Sequence, residues 1–380
     1  MEQSCSGIVV ASSRPASPVR RASMPAPAKW VISCTQDLLW FQGPVLVGVL
    51  LMVAFLWLPP LARHNYGATH PAVWLLLFWG VLFDGTHVMA TFARTYFAGD
   101  AQSKAALPGN ASFAWLLLGP AVAIVDHWLC APHPSIVGSA GWLFDGFLAM
   151  AYVWAYYHLV RQHYGFLSLY QRKEGSVPSP RSPDALALWI GTAYPFLRFT
   201  LGEPYRETGL PVPMPEVWLP LARCAVDVAA LVAAIAVAAW MIRRPRSDGA
   251  RLGPRHLFLA IVIAFSNLAF AVLDNLLVIT AVLTIFHNLQ YHRIVWQYER
   301  GRQRIPMGSI AIYAAAGLAL GIAWYAPRVL GVALADTDLW RNVLIGACWG
   351  VAFHHYVVDA RIWRLRRQPA VATALDRGAA

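Results

Sequence analysis

Charged residues are scarce in this sequence. Only 13% of the 380 residues are Asp, Glu, Lys or Arg, whereas about a quarter are charged in an average soluble domain. Hydrophobic residues make up 58% of the chain, and several apolar runs reach the roughly 20 residues that a helix needs to cross a bilayer. The composition therefore excludes an ordinary soluble domain. It predicts an all-α, polytopic transmembrane helix bundle with about eight to ten spans.

Paired cysteines are also absent. The chain has five cysteines, and none is part of a Cys-x-x-Cys motif: Cys5, Cys34, Cys130, Cys224 and Cys348. The sequence therefore suggests neither a zinc-thiolate site nor a disulfide framework.

Acidic residues are few as well, which gives a formal net charge of +11. Because the basic residues gather at the ends of apolar runs, we attribute this charge to membrane topology and lipid headgroups, and we expect no nucleic-acid partner.

Ten apolar helices are predicted from the hydrophobic runs. Residues 1–38 form a basic tail that lacks the apolar core of a secretory signal peptide, and we expect this tail to be disordered. The transmembrane domain is predicted to cover 39–367, and 368–380 to form a C-terminal tail. Asp274 and Asn275 predict a turn between the seventh and eighth helices. The predicted spans are 43–61, 72–95, 112–131, 137–166, 184–201, 217–242, 256–272, 274–298, 309–330 and 339–364.

Basic residues indicate the orientation of the chain. They follow the even-numbered predicted helices, whereas the loops after odd-numbered helices carry fewer of them. Lys and Arg are enriched in cytoplasmic loops, so we predict an integral, multi-pass membrane protein with both termini in the cytoplasm. The basic stretches are Lys104, Arg172 to Lys173, Arg243 to Arg255, Arg300 to Arg304 and Arg361 to Arg367.

Histidines are the unexpected residues inside the predicted helices. A histidine in an apolar helix is unfavourable unless it is paired, hydrated or bound to metal. Any single one has a plain interpretation as an interfacial side chain bonded to water or backbone, but a set at one membrane level favours a metal site. The candidate ligands lie on the second, fourth, eighth and tenth predicted helices: His87, His158, His163, His287, His292, His354 and His355.

The spacing within the histidine pairs limits how they act together. His287 and His292 are five residues apart, which is about 140° around an ideal helix, and the same holds for His158 and His163. The two members of such a pair lie on different helix faces. They either flank an inward-facing stripe or bind different ions.

Two carboxylates accompany the histidines. Asp84 lies three residues before His87 and Asp359 lies four residues after His355, so each pair shares a helix face. We predict that Asp84 and Asp359 either orient a ligand histidine or bind the ion themselves, and a purely structural ion pair remains an open alternative. Because imidazole suits several transition metals, the sequence does not name the metal. We predict one or two iron ions, with zinc or copper as alternatives.

The histidine spacing resembles that of membrane non-haem iron oxygenases. The HxxxxH boxes His158 to His163 and His287 to His292 and the pair His354-His355 resemble the histidine boxes of membrane fatty-acid desaturases and hydroxylases. A weaker resemblance links Phe286 to His292 with the late histidine helix of Brp/Blh-type carotene-cleaving oxygenases. Both resemblances imply O₂-dependent oxidation of a lipid-like substrate by histidine-bound iron.

The function predicted from these features is a membrane metal-dependent oxygenase, hydroxylase or desaturase. Its substrate is expected to be an apolar, lipid-like molecule that enters from the bilayer near the cytoplasmic side. Electrons, where needed, would come from a separate donor, since the sequence has no flavin, haem-attachment or ferredoxin motif. Two other classes remain open: a haem-binding electron-transfer protein, and a metal or proton transporter.

Overall fold

The computed structural model describes residues 30–60, 70–96, 107, 109–135, 138–202, 214–243, 253–302, 310–334, 337–363 and 369–379. Within these residues the chain is all-α, apart from one short antiparallel pair of strands, β1 (His133–Ser135) and β2 (Gly138–Ala140). The helices are α1 (Cys34–Leu56), α2 (Pro71–Arg94), α3 (Ala114–Leu129), α4 (Trp142–Lys173), α5 (Pro183–Thr200), α6 (Leu219–Arg243), α7 (Pro254–Val272), α8 (Leu276–Gly301), α9 (Ile310–Leu334), α10 (Asp338–Ile362) and α11 (Pro369–Ala379).

Six of these helices are long and apolar enough to cross a membrane: α1, α2, α3, α6, α7 and α10. The chain is therefore a multi-pass membrane protein, and the all-α class predicted from its composition is confirmed. Each of the ten predicted spans coincides with one of the helices α1 to α10. For α4, α5, α8 and α9, membrane spanning stays a prediction. Two of these, α4 and α8, carry polar side chains of the site described below.

The first helix begins inside the segment that was predicted to be a tail. Residues 1–29 lie outside the described residues, but α1 starts at Cys34. The carboxylate of Asp37 accepts hydrogen bonds from the backbone N–H groups of Val31, at 2.7 Å, and Ile32, at 2.9 Å. These bonds fold the chain back onto the first turn of α1, so the folded part begins earlier than composition indicates.

The segment predicted to be a C-terminal tail contains a helix. In α11 the side chains of Val371, Ala374 and Leu375 are buried, and the helix packs against α8. The side-chain amide of Gln297 in α8 donates to the carbonyl oxygen of Leu375 at 3.0 Å. This helix therefore belongs to the bundle.

The turn between α7 and α8 lies where it was predicted. α7 ends at Val272 and α8 begins at Leu276. The side-chain oxygen of Asn275 accepts from the backbone N–H groups of Leu277 and Val278, at 3.0 and 3.2 Å. Because the first N–H groups of a helix have no partner within the helix, this cap defines the start of α8.

Glycines bring two pairs of helices into backbone contact. A Cβ atom added to Gly346 of α10 would lie 2.5 Å from the backbone of Gly119 in α3. One added to Gly85 of α2 would lie 2.5 Å from the Cα of Gly321 in α9. Small residues allow this close approach, which is a main source of helix association in a bilayer. The contacts hold α2 and α10 in place, and these two helices carry most of the site.

Candidate metal centre

Three helices bring four potential metal ligands together inside the bundle. His87 lies on α2, His158 on α4, and His355 and Asp359 on α10. His87, His355 and Asp359 are buried, and only 11% of the His158 side chain is exposed. The four-residue spacing of His355 and Asp359 places both on one face of α10, as the sequence indicated.

The ligand atoms of these four residues all lie within 4.8 Å of one another. We call them the four-ligand group. Nε2 of His87 is 2.9 Å from Nε2 of His355, and Oδ2 of Asp359 is 3.8 Å from Nε2 of His355 and 4.0 Å from Nε2 of His158. At metal–ligand distances of 2.0–2.2 Å, adjacent ligand atoms of one ion are about 3 Å apart and opposite ones about 4.4 Å. Shifts of a few tenths of an ångström would therefore let the group enclose one ion.

The carboxylate of Asp359 is held in place by hydroxyl groups. Its Oδ1 accepts from Thr91 at 2.9 Å and from Tyr291 at 2.7 Å. Its Oδ2 faces the imidazoles of His158 and His355, and the buried guanidinium of Arg94 interacts with the carboxylate electrostatically from beyond ion-pair distance. No Lys or Arg of the described residues lies within 4.0 Å of this buried carboxylate, which leaves its Oδ2 accessible to a cation held between the imidazoles.

His287 of α8 lies directly beside the four-ligand group. The centre of its ring is 4.8 Å from that of His87 and 6.0 Å from that of His163. Both ring nitrogens of His287, and Nε2 of His163, are buried and have no hydrogen-bond partner within the described part of the chain. His287 therefore adjoins the group without being part of it, and His163 lies behind His287, against Phe258 and Phe286.

His292 lies outside the group. Its Nε2 is 2.9 Å from the hydroxyl oxygen of Thr86, and its Nδ1 is 2.9 Å from that of Tyr313. Both ring nitrogens are thus occupied. The rotation of about 140° between His287 and His292 directs the two side chains to different neighbours.

His354 is also placed apart, although it adjoins His355 in the chain. Its Nε2 is 2.8 Å from the hydroxyl oxygen of Tyr96, and its Nδ1 is 3.1 Å from the carbonyl oxygen of Ser112. The ring stacks on Phe113 with centroids 4.9 Å apart. Because successive residues of a helix are about 100° apart, only one of the two histidines of α10 faces the group.

Asp84 faces the same interior from a different position. It ends a π-helical segment of α2, Gly80–Asp84, and π-helical turns inside α-helices are frequent at functional sites. The hydroxyl of Tyr325 in α9 donates to its Oδ2. Asp84 is therefore bonded to α9 and is not one of the four ligands, whereas Asp359 is.

Sequence reasoning missed the residues that support the ligands. Thr91, Gln162 and Tyr291 each lie four residues after a site histidine, so each shares a helix face with it. Thr91 and Tyr291 donate to Asp359, and Gln162 contacts both His158 and Asp359. The i,i+4 rule, applied to each histidine, would have found all three.

Two cavities adjoin the four-ligand group. The inner cavity, of about 70 Å³, is lined by Asp84, His87, His158, His287 and His355 among apolar and aromatic residues. The outer cavity, of about 720 Å³, has His158, Gln162 and Asp359 in its wall, next to aromatic residues such as Trp154, Tyr157, Tyr291 and Trp363. His158 and Tyr356 line both cavities and so separate them.

Comparison with known proteins yields no relative. No protein-family model, no curated protein and no solved structure matches the chain. The resemblance to membrane non-haem iron oxygenases therefore stays a prediction.

Proposed function

We propose that the protein is an integral-membrane metal-dependent oxidoreductase that uses O₂ to oxidise an apolar, lipid-like substrate. The observation that carries this proposal is the gathering of His87, His158, His355 and Asp359 within 4.8 Å, inside a bundle of membrane helices. Polar residues at such depth are costly, and they mark functional sites by default.

The donor set suits a redox-active ion. Three imidazoles and one carboxylate are ligands for iron, copper or zinc, and sets of histidine with a carboxylate are typical of non-haem iron oxygenases. Cys348 lines the inner cavity, but no thiolate belongs to the four-ligand group. We therefore propose iron, which, when bound, would supply the activation of O₂.

The side chains of the protein would orient the ligands and exclude water. Thr91 and Tyr291 keep Oδ1 of Asp359 occupied, which leaves Oδ2 directed towards His158 and His355. The outer cavity has the size of a typical small-molecule site, 300–1,000 Å³, and its aromatic wall suits an apolar substrate. A separate one-electron carrier is proposed as the electron donor.

The size of the inner cavity favours a bare ion over haem. About 70 Å³ holds a few small molecules, not a macrocycle. The ligand atoms also gather at a single point, whereas a transport path would place successive polar groups along the bilayer. Both facts support the enzyme over the two alternative classes.

Metal analysis of purified protein tests the proposal. We expect stoichiometric iron after anaerobic reconstitution of the wild type. His87→Ala, His158→Ala, His355→Ala and Asp359→Ala should each reduce metal affinity by more than the roughly 10–100-fold that loss of an outer hydrogen-bond partner costs. His292→Ala and His354→Ala are matched controls that should retain the metal, since both nitrogens of each ring have other partners.

The activity assay does not depend on a known substrate. Iron-loaded protein is incubated with a membrane lipid extract, a chemical reductant and isotopically labelled O₂, and the lipids are analysed by mass spectrometry. We expect products that have gained oxygen or lost two hydrogens. Absence of transition metal in the wild type would overturn the proposal, and stoichiometric zinc would redirect it to hydrolysis or isomerisation.

A further inference from the structure

Gln162 lies against the four-ligand group on the side of the outer cavity. It follows His158 by one turn of α4, and its side chain is half-buried. Its amide nitrogen Nε2 is 2.8 Å from Nε2 of His158 and 2.5 Å from Oδ2 of Asp359. One amide group thus contacts two of the four ligand atoms.

The chemistry of the partners determines the direction of both hydrogen bonds. The amide nitrogen of Gln162 only donates, so one of its two hydrogens goes to Oδ2 of Asp359. The other hydrogen is then directed at Nε2 of His158, which must accept it. A neutral imidazole nitrogen that accepts has a single lone pair. This lone pair is the one that a metal ion would need.

The amide and a metal ion therefore compete for His158. The hydrogen bond from Gln162 and a bond from an ion to the same lone pair exclude each other. Gln162 lines the outer cavity, whereas the inner cavity is lined by His158 without Gln162. An ion that arrives through the outer cavity meets the amide together with the two groups that it bonds, His158 and Asp359.

We propose that the side chain of Gln162 competes with the metal ion for His158 and so controls metal uptake, and we call it the latch. In the metal-free protein its amide holds His158 and Asp359 in their ligand positions, and an arriving ion displaces it towards the outer cavity. The latch rests on the proposed function, because it uses the same four ligands. Gln162 is thus a positioning residue whose side-chain rotation controls metal uptake.

Substitution of Gln162 should change metal binding in a characteristic way. Gln162→Leu keeps a similar volume but donates no hydrogen bond, so the competitor is lost. A hydrogen bond to a charged or strongly accepting group stabilises the form without metal, by about a factor of ten or more in the metal-binding equilibrium. We therefore expect Gln162→Leu to bind the metal ion roughly tenfold more tightly and to take it up faster. Gln162→Glu places a second carboxylate beside Asp359 and should tighten binding further.

The experiment uses Co²⁺ alone as the probe, added to metal-depleted full-length protein in detergent micelles. Stopped-flow absorbance gives the uptake rate and titration gives the affinity. Gln171→Leu is the matched control, because Gln171 lies on the same helix and its amide contacts Ser182 and Asp184 instead. Thermal unfolding of each variant verifies that it is folded.

The possible outcomes separate a failure of the latch from a failure of the proposed function. Unchanged uptake and affinity in both Gln162 variants would refute the latch and leave the metal centre intact. Loss of Co²⁺ binding in folded Gln162→Leu protein would make Gln162 a ligand, which also refutes the latch. If the folded wild type binds no Co²⁺ and no iron, the proposed function itself fails, and the latch with it.

Discussion

His354 and His355 differ in environment although they are neighbours in the chain. His354 is enclosed by Tyr96, Ser112 and Phe113, and both of its nitrogens are occupied. His355 turns inward, where its Nε2 meets His87 and its Nδ1 has no partner within the described residues. The residue type therefore does not define a candidate ligand; the side chain must also face the other members of the group.

Gly165 offers a residue-scale test of substrate entry. It lines the outer cavity, and an added Cβ atom would meet no atom within 4 Å. Gly165→Trp should narrow the cavity, slow lipid oxidation and leave metal content unchanged. Gly165→Ala is the control: it should keep activity and stabilise α4 by about 0.5–1 kcal/mol, since glycine is unfavourable inside a helix. Full activity of Gly165→Trp would mean that substrate enters elsewhere.

The sequence named all four residues of the four-ligand group as candidates but did not separate them from the other candidates. His87, His158, His355 and Asp359 were all among the candidates, because polar residues in apolar helices are rare enough to be conspicuous. His292 and His354 could not be removed from the set. Their partners Thr86 and Ser112 lie more than 200 positions away, and such contacts exist only after the helices pack.

Among the helices, the contact of α3 with α10 determines where His355 and Asp359 lie. An added Cβ at Gly346 would meet backbone atoms of Gly119, which cannot yield as a flexible side chain could. We expect Gly346→Ala to destabilise the protein by roughly 1–3 kcal/mol and to weaken metal binding. Thermal unfolding in detergent, with and without metal, measures both effects.

Gly146→Ala in α4 is the matched control for this substitution. An added Cβ there would meet no atom within 4 Å, so the variant should be neutral or slightly more stable. Equal stability of Gly346→Ala and Gly146→Ala would show that α3 and α10 can separate at no cost. The glycine contact would then not position the site.

Helices were easier to predict than their ends. Apolar runs of about 20 residues identify helices because unpaired backbone groups are intolerable in lipid. α4 continues to Lys173, beyond the predicted end at 166, because a helix does not stop where its apolar stretch stops. The segment of α11 was predicted to be a tail because its apolar face is short. That face can be recognised only together with the surface of α8 that it covers.

At the scale of the molecule, the open question is which helices cross the bilayer. With the predicted cytoplasmic N-terminus, the loop after α4 lies outside the cytoplasm if only α1, α2, α3, α6, α7 and α10 cross, and in the cytoplasm if all ten cross. α4 has 32 residues and α8 has 26, so at 1.5 Å per residue each exceeds the roughly 30 Å of a bilayer core. Both counts are even, so the termini share one side in either case.

Labelling of a single cysteine separates the two topologies. In a variant without the five native cysteines, Ser176→Cys places a thiol in the exposed loop after α4. We expect a membrane-impermeant maleimide to label it only after the membrane is permeabilised, because basic residues precede this loop and favour the cytoplasm. Val217→Cys, exposed before α6, should be labelled in intact cells under either topology. Labelling of Ser176→Cys in intact cells would overturn the ten-span topology.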